Sequence, residues 1–183
     1  MRLAAFIDGP HIYSMGRALG FDIDYRRVIA WLRENGTLIR ATYYTTIPDG
    51  DEFISIKPLI DWLDYNGFTI RTKAVGCSDD PDTGRRRWSG NMHVEIALDA
   101  VTAARDWKLD QIIMVCGDSA LTPVVREAQR FGVRVAVVGA LTRVPTPMVA
   151  DSLRRAADDF IDFSIVADSL RRATPRARIE EAA

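Results

Sequence analysis

The chain begins with an apolar run that ends in an acid, a glycine and a proline, Leu3-Ala4-Ala5-Phe6-Ile7-Asp8-Gly9-Pro10. A second apolar run in the latter half of the chain also reaches an acid among turn residues, Met114-Val115-Cys116-Gly117-Asp118-Ser119. Short continuous apolar runs that stop at turn residues are typical of strands buried on both faces of a parallel sheet. The two runs therefore predict two buried strands, each of which ends in or beside an aspartate.

Around these two runs, short β-rich segments alternate with helical patterns, as in βαβ units built on a mostly parallel sheet. The predicted strands are 3–8, 38–47, 68–75, 111–118 and 133–139. The predicted helices are 24–34, 53–66, 92–107, 122–131 and 148–157. These elements predict an α/β three-layer sandwich, and 183 residues fit one such domain. The polar, turn-rich stretch 77–90 predicts an exposed loop or ribbon.

A short internal repeat lies near the C-terminus, where Val149-Ala150-Asp151-Ser152-Leu153-Arg154-Arg155-Ala156 recurs as Val166-Ala167-Asp168-Ser169-Leu170-Arg171-Arg172-Ala173. We predict that the first copy packs on a domain covering residues 1–165. The second copy is predicted to form a basic terminal helix that continues into a disordered tail, together 166–183. The repeated helices, through Leu153 and Leu170, would suit a homo-oligomer or a protein partner; the alternative is a local duplication without such a role.

The composition is that of an ordinary globular protein, with 48% apolar residues, 27% charged residues and a net charge of -1. This balance gives no global attraction to nucleic acid, so any contact must be a local patch. The two cysteines, Cys77 and Cys116, lack metal-ligand spacing and predict a reduced cytoplasmic compartment. The apolar run at the N-terminus is too short for a signal peptide or a membrane span, so no membrane contact is expected.

Asp8 and Asp118 stand where ligands gather in an open parallel sheet, at the carboxyl ends of strands. A strand-end aspartate also commonly caps the next helix, and this alternative stays open for each residue. Two clustered carboxylates repel one another unless a cation lies between them, and Mg²⁺ or Mn²⁺ prefers carboxylate and phosphate oxygens. The pair therefore predicts a metal site that assists phosphodiester hydrolysis.

Three further candidates lie on the predicted helix that follows the polar stretch. Glu95 and Asp99 share one helix face at i and i+4, and they are either solvated surface acids or ligands. His93 opens the same helix. Because His93 and Asp99 are out of phase on a regular helix, both can serve one ion only if His93 lies at the helix start, where the chain bends.

Several segments, in order along the chain, match the motifs of a known family. Phe6-Ile7-Asp8-Gly9-Pro10-His11-Ile12-Tyr13 resembles the FIDGxNLY motif of LabA-like NYN proteins, a branch of the PIN-like nucleases. The stretches 21–25 and 58–67, and Gly90-Asn91-Met92 leading into Glu95 and Asp99, resemble a bacterial subgroup whose helix motif is KGNMDxELAxDA. The stretch 116–121 resembles SGDxDF and 156–163 resembles ADxFIDL, so the resemblance covers residues 1–165.

This resemblance implies a PIN-like α/β fold and a metal-dependent ribonuclease that hydrolyses single-stranded RNA. Asp8, Asp99 and Asp118 stand where the family has acids, and they would be the catalytic ligands of Mg²⁺ or Mn²⁺. Four polar positions differ: His93 and Ala120 replace acids, Ser89 replaces a lysine and His11 replaces an asparagine.

These replacements leave two hypotheses open for the site. Lost carboxylates weaken the binding of hard cations, whereas imidazole favours softer metals such as Mn²⁺ or Zn²⁺, so His93, with or without His11, could complete a catalytic metal shell. The alternative is a catalytically lapsed NYN-like module that binds RNA or a protein partner.

A basic patch, Arg85-Arg86-Arg87-Trp88, lies in the polar stretch just before the helix that carries His93. Arginines pair with phosphates and an indole stacks on an unpaired base, so this patch predicts contact with single-stranded RNA beside the acidic edge. The alternative is an ordinary solvated loop or charged ribbon.

Overall fold

A parallel sheet forms the centre of the computed structural model, which describes residues 1–49, 55–79, 86–88, 90–141 and 148–172. Elements are numbered in chain order. The sheet strands are β1 (Arg2–Asp8), β2 (Thr37–Pro48), β3 (Thr69–Val75), β6 (Gln111–Val115), β7 (Arg134–Gly139) and β8 (Asp159–Asp162). A separate antiparallel ribbon consists of β4 (Cys77–Asp79) and β5 (Arg86–Trp88). The helices are α1 (Gly9–Ala18), α2 (Tyr25–Glu34), α3 (Lys57–Tyr65), α4 (His93–Asp106), α5 (Thr122–Arg130), α6 (Asp151–Ala156) and α7 (Phe163–Leu170), with a 3₁₀ turn at Ser119–Leu121.

The strand order is β3-β2-β1-β6-β7-β8, and every pair in this sheet is parallel. From β1 the chain builds outward to β3, and it then returns to β6 on the other side of β1 and builds outward to β8. The order of the strands therefore reverses between β1 and β6, where Ile7 pairs with Val115. In sheets of this kind the carboxyl ends of the strands at the reversal form the ligand-binding crevice.

The core has two apolar layers, one on each face of the sheet. Helices α1, α2, α3 and α7 cover one face through buried residues that include Ile12, Leu32 and Leu170. Helices α4, α5 and α6 cover the other face through buried residues that include Ile96 and Val125. Because β1 contributes to both layers, its residues from Leu3 to Ile7 are almost completely buried. The predicted three-layer α/β sandwich is thus confirmed, and its sheet is parallel throughout.

Several helices begin at aspartates whose side chains accept a backbone N–H of the first turn. Asp24 does this for α2 and Asp162 for α7. Such caps satisfy N–H groups that have no partner within the helix, and each contributes about 1 kcal/mol. The ends of α3 and α5 are followed by Gly67 and Gly132, whose positive φ angles of 89° and 79° favour glycine. Sequence signals therefore locate most helix ends closely.

Two elements were not predicted, and one region differs from the prediction. Helix α1 follows β1 with no linker, and β8 adds a sixth strand to the sheet. Helix α3 begins at Lys57 rather than at residue 53, and 50–54 lie outside the described residues. Among the helices in the described ranges, none is long and apolar enough to cross a membrane.

The second copy of the repeat packs on the domain as far as the structure describes it. Helix α7 starts before the predicted boundary at residue 165, and an antiparallel bridge joins Arg171 to Ile23. Leu153 and Leu170 are 0% and 2% exposed, so both side chains belong to the chain's own core. Binding of a second copy or of another protein through the repeated helices stays a prediction. The predicted tail from residue 173 onward lies outside the described residues.

Candidate functional site

Asp8 and Asp118 flank the point where the strand order reverses. Asp8 ends β1, and its Oδ1 accepts a hydrogen bond of 3.2 Å from the backbone N–H of His11, which caps α1. Asp118 follows β6, and its Oδ1 accepts a hydrogen bond of 2.8 Å from the backbone N–H of Ala120. Each carboxylate therefore acts as a cap through one oxygen and presents the other oxygen, Oδ2, to the edge of the sheet.

The His93 imidazole lies between these two carboxylates. Its Nε2 is 3.7 Å from Asp8 Oδ2 and its Nδ1 is 3.8 Å from Asp118 Oδ2. The backbone N–H of His93 donates to Asn91 Oδ1 at 3.1 Å, which fixes the residue at the start of α4. When protonated, the ring forms ion pairs with both acids. The two ring nitrogens therefore contact the two Oδ2 atoms that a cation bridging Asp8 and Asp118 would bind.

Asp99 is held by residues of the sheet instead of facing the other acids. Its Oδ2 accepts a 2.8 Å hydrogen bond from the Tyr44 hydroxyl, and the Arg71 guanidinium contacts both of its oxygens at 3.2 and 3.3 Å. Tyr44 and Arg71 are register partners on β2 and β3, so they meet Asp99 from one face of the sheet. Burial and the Asp99 carboxylate raise the pKa of Tyr44 far above its usual range, so the hydroxyl stays protonated.

Glu95 is held in a similar way, by Lys73 of β3. The Lys73 ammonium is 3.0 Å from Glu95 Oε1 and also donates to the Asn91 carbonyl oxygen at 3.2 Å. Tyr44, Arg71 and Lys73 were not predicted to be site residues. The alternation of Arg71 and Lys73 along one strand face is the signal that could have suggested a basic row opposite the acids of α4.

A cleft of about 560 Å³ opens at this edge. It is lined by Asp8, Pro10, His11, Ser14, Thr46, Gly90, Asn91, Met92, His93, Gly117, Asp118, Met148, Val149 and Ala150. Asp8, His93 and Asp118 thus meet in one cavity, and Asp99 and Glu95 lie outside its lining. A pocket of this size is within the usual range for ligand sites.

His11 forms the side of the cleft next to Gly117. Its Nε2 is buried and has no hydrogen-bond partner among the described residues. Burial lowers the pKa of His11 to about 4, the nearby Asp118 carboxylate raises it and His93 lowers it. The side chain is therefore a neutral imidazole at pH 7. A Cβ at Gly117 would overlap the His11 ring and the Met148 carbonyl oxygen, so only glycine permits this close approach.

The candidate metal ligands lie in two places at this edge. Across the described ranges, no group of three or more His, Cys, Asp or Glu side chains is arranged to hold a metal ion. Divalent Mg²⁺ and Mn²⁺ need several converging oxygens. Asp8 and Asp118 each turn one oxygen toward a different nitrogen of the His93 ring, whereas Asp99 contacts Arg71 and Tyr44. A metal site formed by Asp8, Asp99 and Asp118 therefore stays a prediction.

The described part of the basic patch lies just before the stretch of chain that forms one wall of the cleft. Arg86, Arg87 and Trp88 form β5, which pairs with β4, and the chain then passes through Gly90, Asn91 and Met92 of the cleft wall. Arg85 lies outside the described residues, and for 86–88 the backbone alone is described. The expected ribbon is present, and its contact with RNA stays a prediction.

Replacing Asp8 by asparagine should stabilise the fold at neutral pH. Burial raises the pKa of Asp8 above its usual value, although the His11 N–H and His93 lower it. A raised folded-state pKa stabilises the fold at low pH, and this contribution is lost as pH rises through the folded-state value. Asparagine keeps the cap without the buried charge. Thermal unfolding of Asp8→Asn at pH 7.5 should give a Tm above wild type by a few degrees, about 2–4 °C per kcal/mol. An unchanged or lower Tm would contradict this.

His11 should make the protein less stable in mild acid. Its folded pKa of about 4 lies below the ordinary value of 6.5, so the unfolded chain binds the extra proton between these two pH values. The contribution is fully present above pH 6.5 and is lost as pH falls towards 4, by about 3 kcal/mol. Denaturant unfolding of wild type and His11→Asn between pH 4 and 7.5 should show a steeper loss for wild type. Parallel curves would exclude this role for His11.

The fully parallel sheet, with helices on both faces and acids at the strand reversal, is an α/β architecture consistent with the PIN-like fold. A solved structure has the same fold: a Vibrio parahaemolyticus protein of unknown function, VPA0982, superposes with a TM-score of 0.70 at 22% identity. The superposition covers 93% of this chain and 96% of that one. Because the identity is low, this similarity shows the fold alone.

The NYN domain family model matches residues 2–169, and the chain belongs to the NYN domain family. It is similar to the low amplitude and bright protein LabA of Synechococcus elongatus, with 28% identity over 166 residues, 89% of this chain and 84% of LabA. It is also similar to the uncharacterized protein MJ0482 of Methanocaldococcus jannaschii, with 26% identity over 161 residues, 87% of this chain and 57% of that protein. The resemblance found in the sequence motifs is thereby confirmed.

Proposed function

We propose that this NYN-domain protein binds single-stranded RNA along the cleft at the acidic edge and has lost metal-dependent hydrolysis. The observation that carries the proposal is the position of the His93 imidazole between Asp8 and Asp118. In a metal-dependent site these carboxylates would hold the cation that activates water and stabilises the charge on the phosphate. Here the ring takes the place of such a cation and supplies at most one positive charge.

No other acid of the site makes up for the carboxylate that is missing at position 93. Asp99, which stands where the family has an acid, forms its ion pair with Arg71. Ala120, which stands where the family has a second acid, offers a backbone N–H that caps Asp118 and no ligand side chain. A hard divalent cation binds more weakly as carboxylates are lost. Two fixed oxygens on either side of an imidazole are a poor substitute for the acidic cluster of a working nuclease.

Basic groups of β3 near one wall of the cleft support RNA binding, in addition to pairing with Asp99 and Glu95. Arg71 and Lys73 project from β3 with side chains that are 57% and 40% exposed, and Lys73 contacts Asn91 of the cleft wall. The ribbon that carries Arg86, Arg87 and Trp88 leads into the same wall. Arginine and lysine attract phosphates, and tryptophan stacks on unpaired bases. This combination suits a single strand better than a duplex, whose bases are not available for stacking.

The test combines RNA binding with RNA cleavage. Purified protein and a labelled single-stranded RNA are incubated without divalent ions, with Mg²⁺ and with Mn²⁺. We expect saturable binding and no cleavage under all three conditions. The double variant Arg87→Ala, Trp88→Ala should bind at least about tenfold more weakly and show a smaller salt dependence of affinity.

Arg126→Ala is the matched control, because Arg126 is an exposed arginine of α5 that does not line the cleft. This control should bind RNA as the wild type does. Failure of the wild type to bind RNA at low salt would contradict the proposal, and so would equal affinity of the ribbon variant and the control.

A second candidate function is a metal-dependent ribonuclease, and burial of the Asp8 carboxylate favours it. Burial raises the pKa of Asp8, so a bound cation that displaced His93 would relieve an unfavourable buried charge. Cleavage of single-stranded RNA by the wild type in Mn²⁺ that both Asp8→Asn and Asp118→Asn abolish would establish this function. It would also contradict the proposal that metal-dependent hydrolysis has been lost. Cleavage that survives both substitutions would point to a contaminating nuclease.

A further inference from the structure

A second pocket, of about 460 Å³, lies beside the acidic cleft and shares α1 with it as a wall. Tyr13 of α1 lines this pocket, whereas Ser14, the next residue, lines the cleft. Helices α2 and α3 each lead into the next parallel strand, so both run antiparallel to the strands. Their N-terminal ends therefore lie at the carboxyl edge of the sheet, which is also the edge that carries the cleft. A chain molecule that occupies the cleft can therefore reach the pocket by crossing α1.

The pocket is lined by Tyr13, Arg26, Ser55 and Arg172 and by residues of two sequence motifs that do not line the acidic cleft. One is the segment 21–25 before and at the start of α2, and the other is the segment 58–67 in and after α3. Residues far apart in the sequence thus meet around one cavity. The two motifs therefore form a candidate binding site, and the chemistry of its lining indicates the ligand.

The lining combines stacking groups with carboxylates. The Arg26 guanidinium lies over the Trp62 indole, 5.5 Å from the ring centroid, and Tyr13 is 59% exposed. Aromatic rings and arginine planes are the surfaces on which unpaired bases stack in RNA-binding proteins. Asp22, Asp24 and Arg172 also line the cavity, so together with Arg26 its charged groups balance and it is not a strongly basic phosphate site. The stacking surfaces in the lining therefore suit a base.

We propose that this pocket binds one base of the RNA strand that occupies the acidic cleft, by stacking on Tyr13 and on the layer formed by Arg26 and Trp62. The inference rests on the proposed function, because the cleft supplies the rest of the strand. Carboxylates accept hydrogen bonds from exocyclic amino groups, such as the N4 amino group of cytosine. Asp24 Oδ1 accepts the Arg26 backbone N–H and Oδ2 lies 3.8 Å from Arg27 Nε, and a carboxylate oxygen can accept a second hydrogen bond. A base that carries an amino group, such as cytosine, is therefore preferred over uracil.

The experiment measures the affinity of the full chain for oligo(rC) and oligo(rU) of equal length by fluorescence anisotropy. We expect the wild type to prefer oligo(rC). Tyr13→Ala and Trp62→Ala should each weaken oligo(rC) binding about 5- to 150-fold, the range found when a base loses its aromatic partner. Trp62→Phe should retain most of the affinity, because it keeps an aromatic ring.

Tyr65→Ala is the matched control, since Tyr65 is a tyrosine of the same helix as Trp62, is 90% exposed and does not line the pocket. Circular dichroism checks the fold of Trp62→Ala, which packs partly on the core; if that variant unfolds, the exposed Tyr13 decides the outcome. If Tyr13→Ala binds RNA as tightly as the wild type while the double variant Arg87→Ala, Trp88→Ala binds more weakly, the pocket does not bind a base. The proposed function would then stand. Absence of RNA binding by the wild type would overturn both.

Discussion

Replacing both His93 and Ala120 by aspartate should convert this protein into a metal-dependent ribonuclease. We expect cleavage of single-stranded RNA in Mn²⁺ at least about 100-fold above wild type, the scale on which one positioned catalytic group acts. His93→Asp removes the ring that separates Asp8 from Asp118 and adds a carboxylate at the start of α4. Ala120→Asp adds another beside Asp118. Together they restore the charge and the oxygen ligands that a hard cation needs.

One matched control keeps the new acids and removes Asp8, and the other puts neutral amides in place of the new acids. Adding Asp8→Asn to the double variant should abolish the new activity, because Asp8 supplies an oxygen at the strand reversal. His93→Asn with Ala120→Asn should stay inactive, since neutral amides add little charge for binding the cation. A double aspartate variant that folds and binds RNA but cleaves no faster than wild type would show that the acidic edge is not a nuclease site.

Gly117→Ala should destabilise the protein by about 4 kcal/mol or more, equivalent to a fall in Tm of roughly 8–16 °C. The new Cβ would overlap the Met148 carbonyl oxygen and the His11 ring. Neither neighbour can move freely. The Met148 N–H is bonded to the Ala140 carbonyl oxygen at 2.9 Å, and the Ala150 N–H donates to the Gly117 carbonyl oxygen itself at 2.8 Å. Thermal unfolding at pH 7.5 measures the effect.

Gly76→Ala is the control for this substitution. Among the described residues no atom lies within 4 Å of a Cβ built at Gly76, and its φ angle does not require glycine. Its change in unfolding free energy should therefore stay within about 0.5 kcal/mol, as for other exposed positions. Equal unfolding temperatures of Gly117→Ala and Gly76→Ala would show that His11 does not pack closely against residue 117.

The position of the site follows from the sequence because parallel strands place their carboxyl ends at one edge. Asp8 and Asp118 end or follow buried apolar runs, so their meeting at the strand reversal needs no knowledge of the loops. The two interpretations offered for a strand-end aspartate also prove compatible. In each residue one oxygen caps a helix and the other faces His93.

The partner of Asp99 could not be predicted in the same way. Asp99 meets Tyr44 and Arg71 only because β3 pairs with β2 in one particular register. A shift of β3 by one residue would turn Arg71 to the other face of the sheet, away from Asp99. The sequence determines this register through the packing of the whole face, which no local motif records. Helix α1 was missed for a related reason, since it follows β1 directly and leaves no linker to mark its start.

The proposed loss of metal-dependent hydrolysis depends on the His93 imidazole occupying the place of a divalent cation. The most direct measurement is anomalous diffraction from crystals of the wild-type protein soaked in Mn²⁺, with the His93→Asp, Ala120→Asp variant soaked in parallel. We predict no anomalous peak between Asp8 and Asp118 in the wild type and a clear peak in the variant. A Mn²⁺ peak within coordination distance of both carboxylates in the wild type would contradict the account.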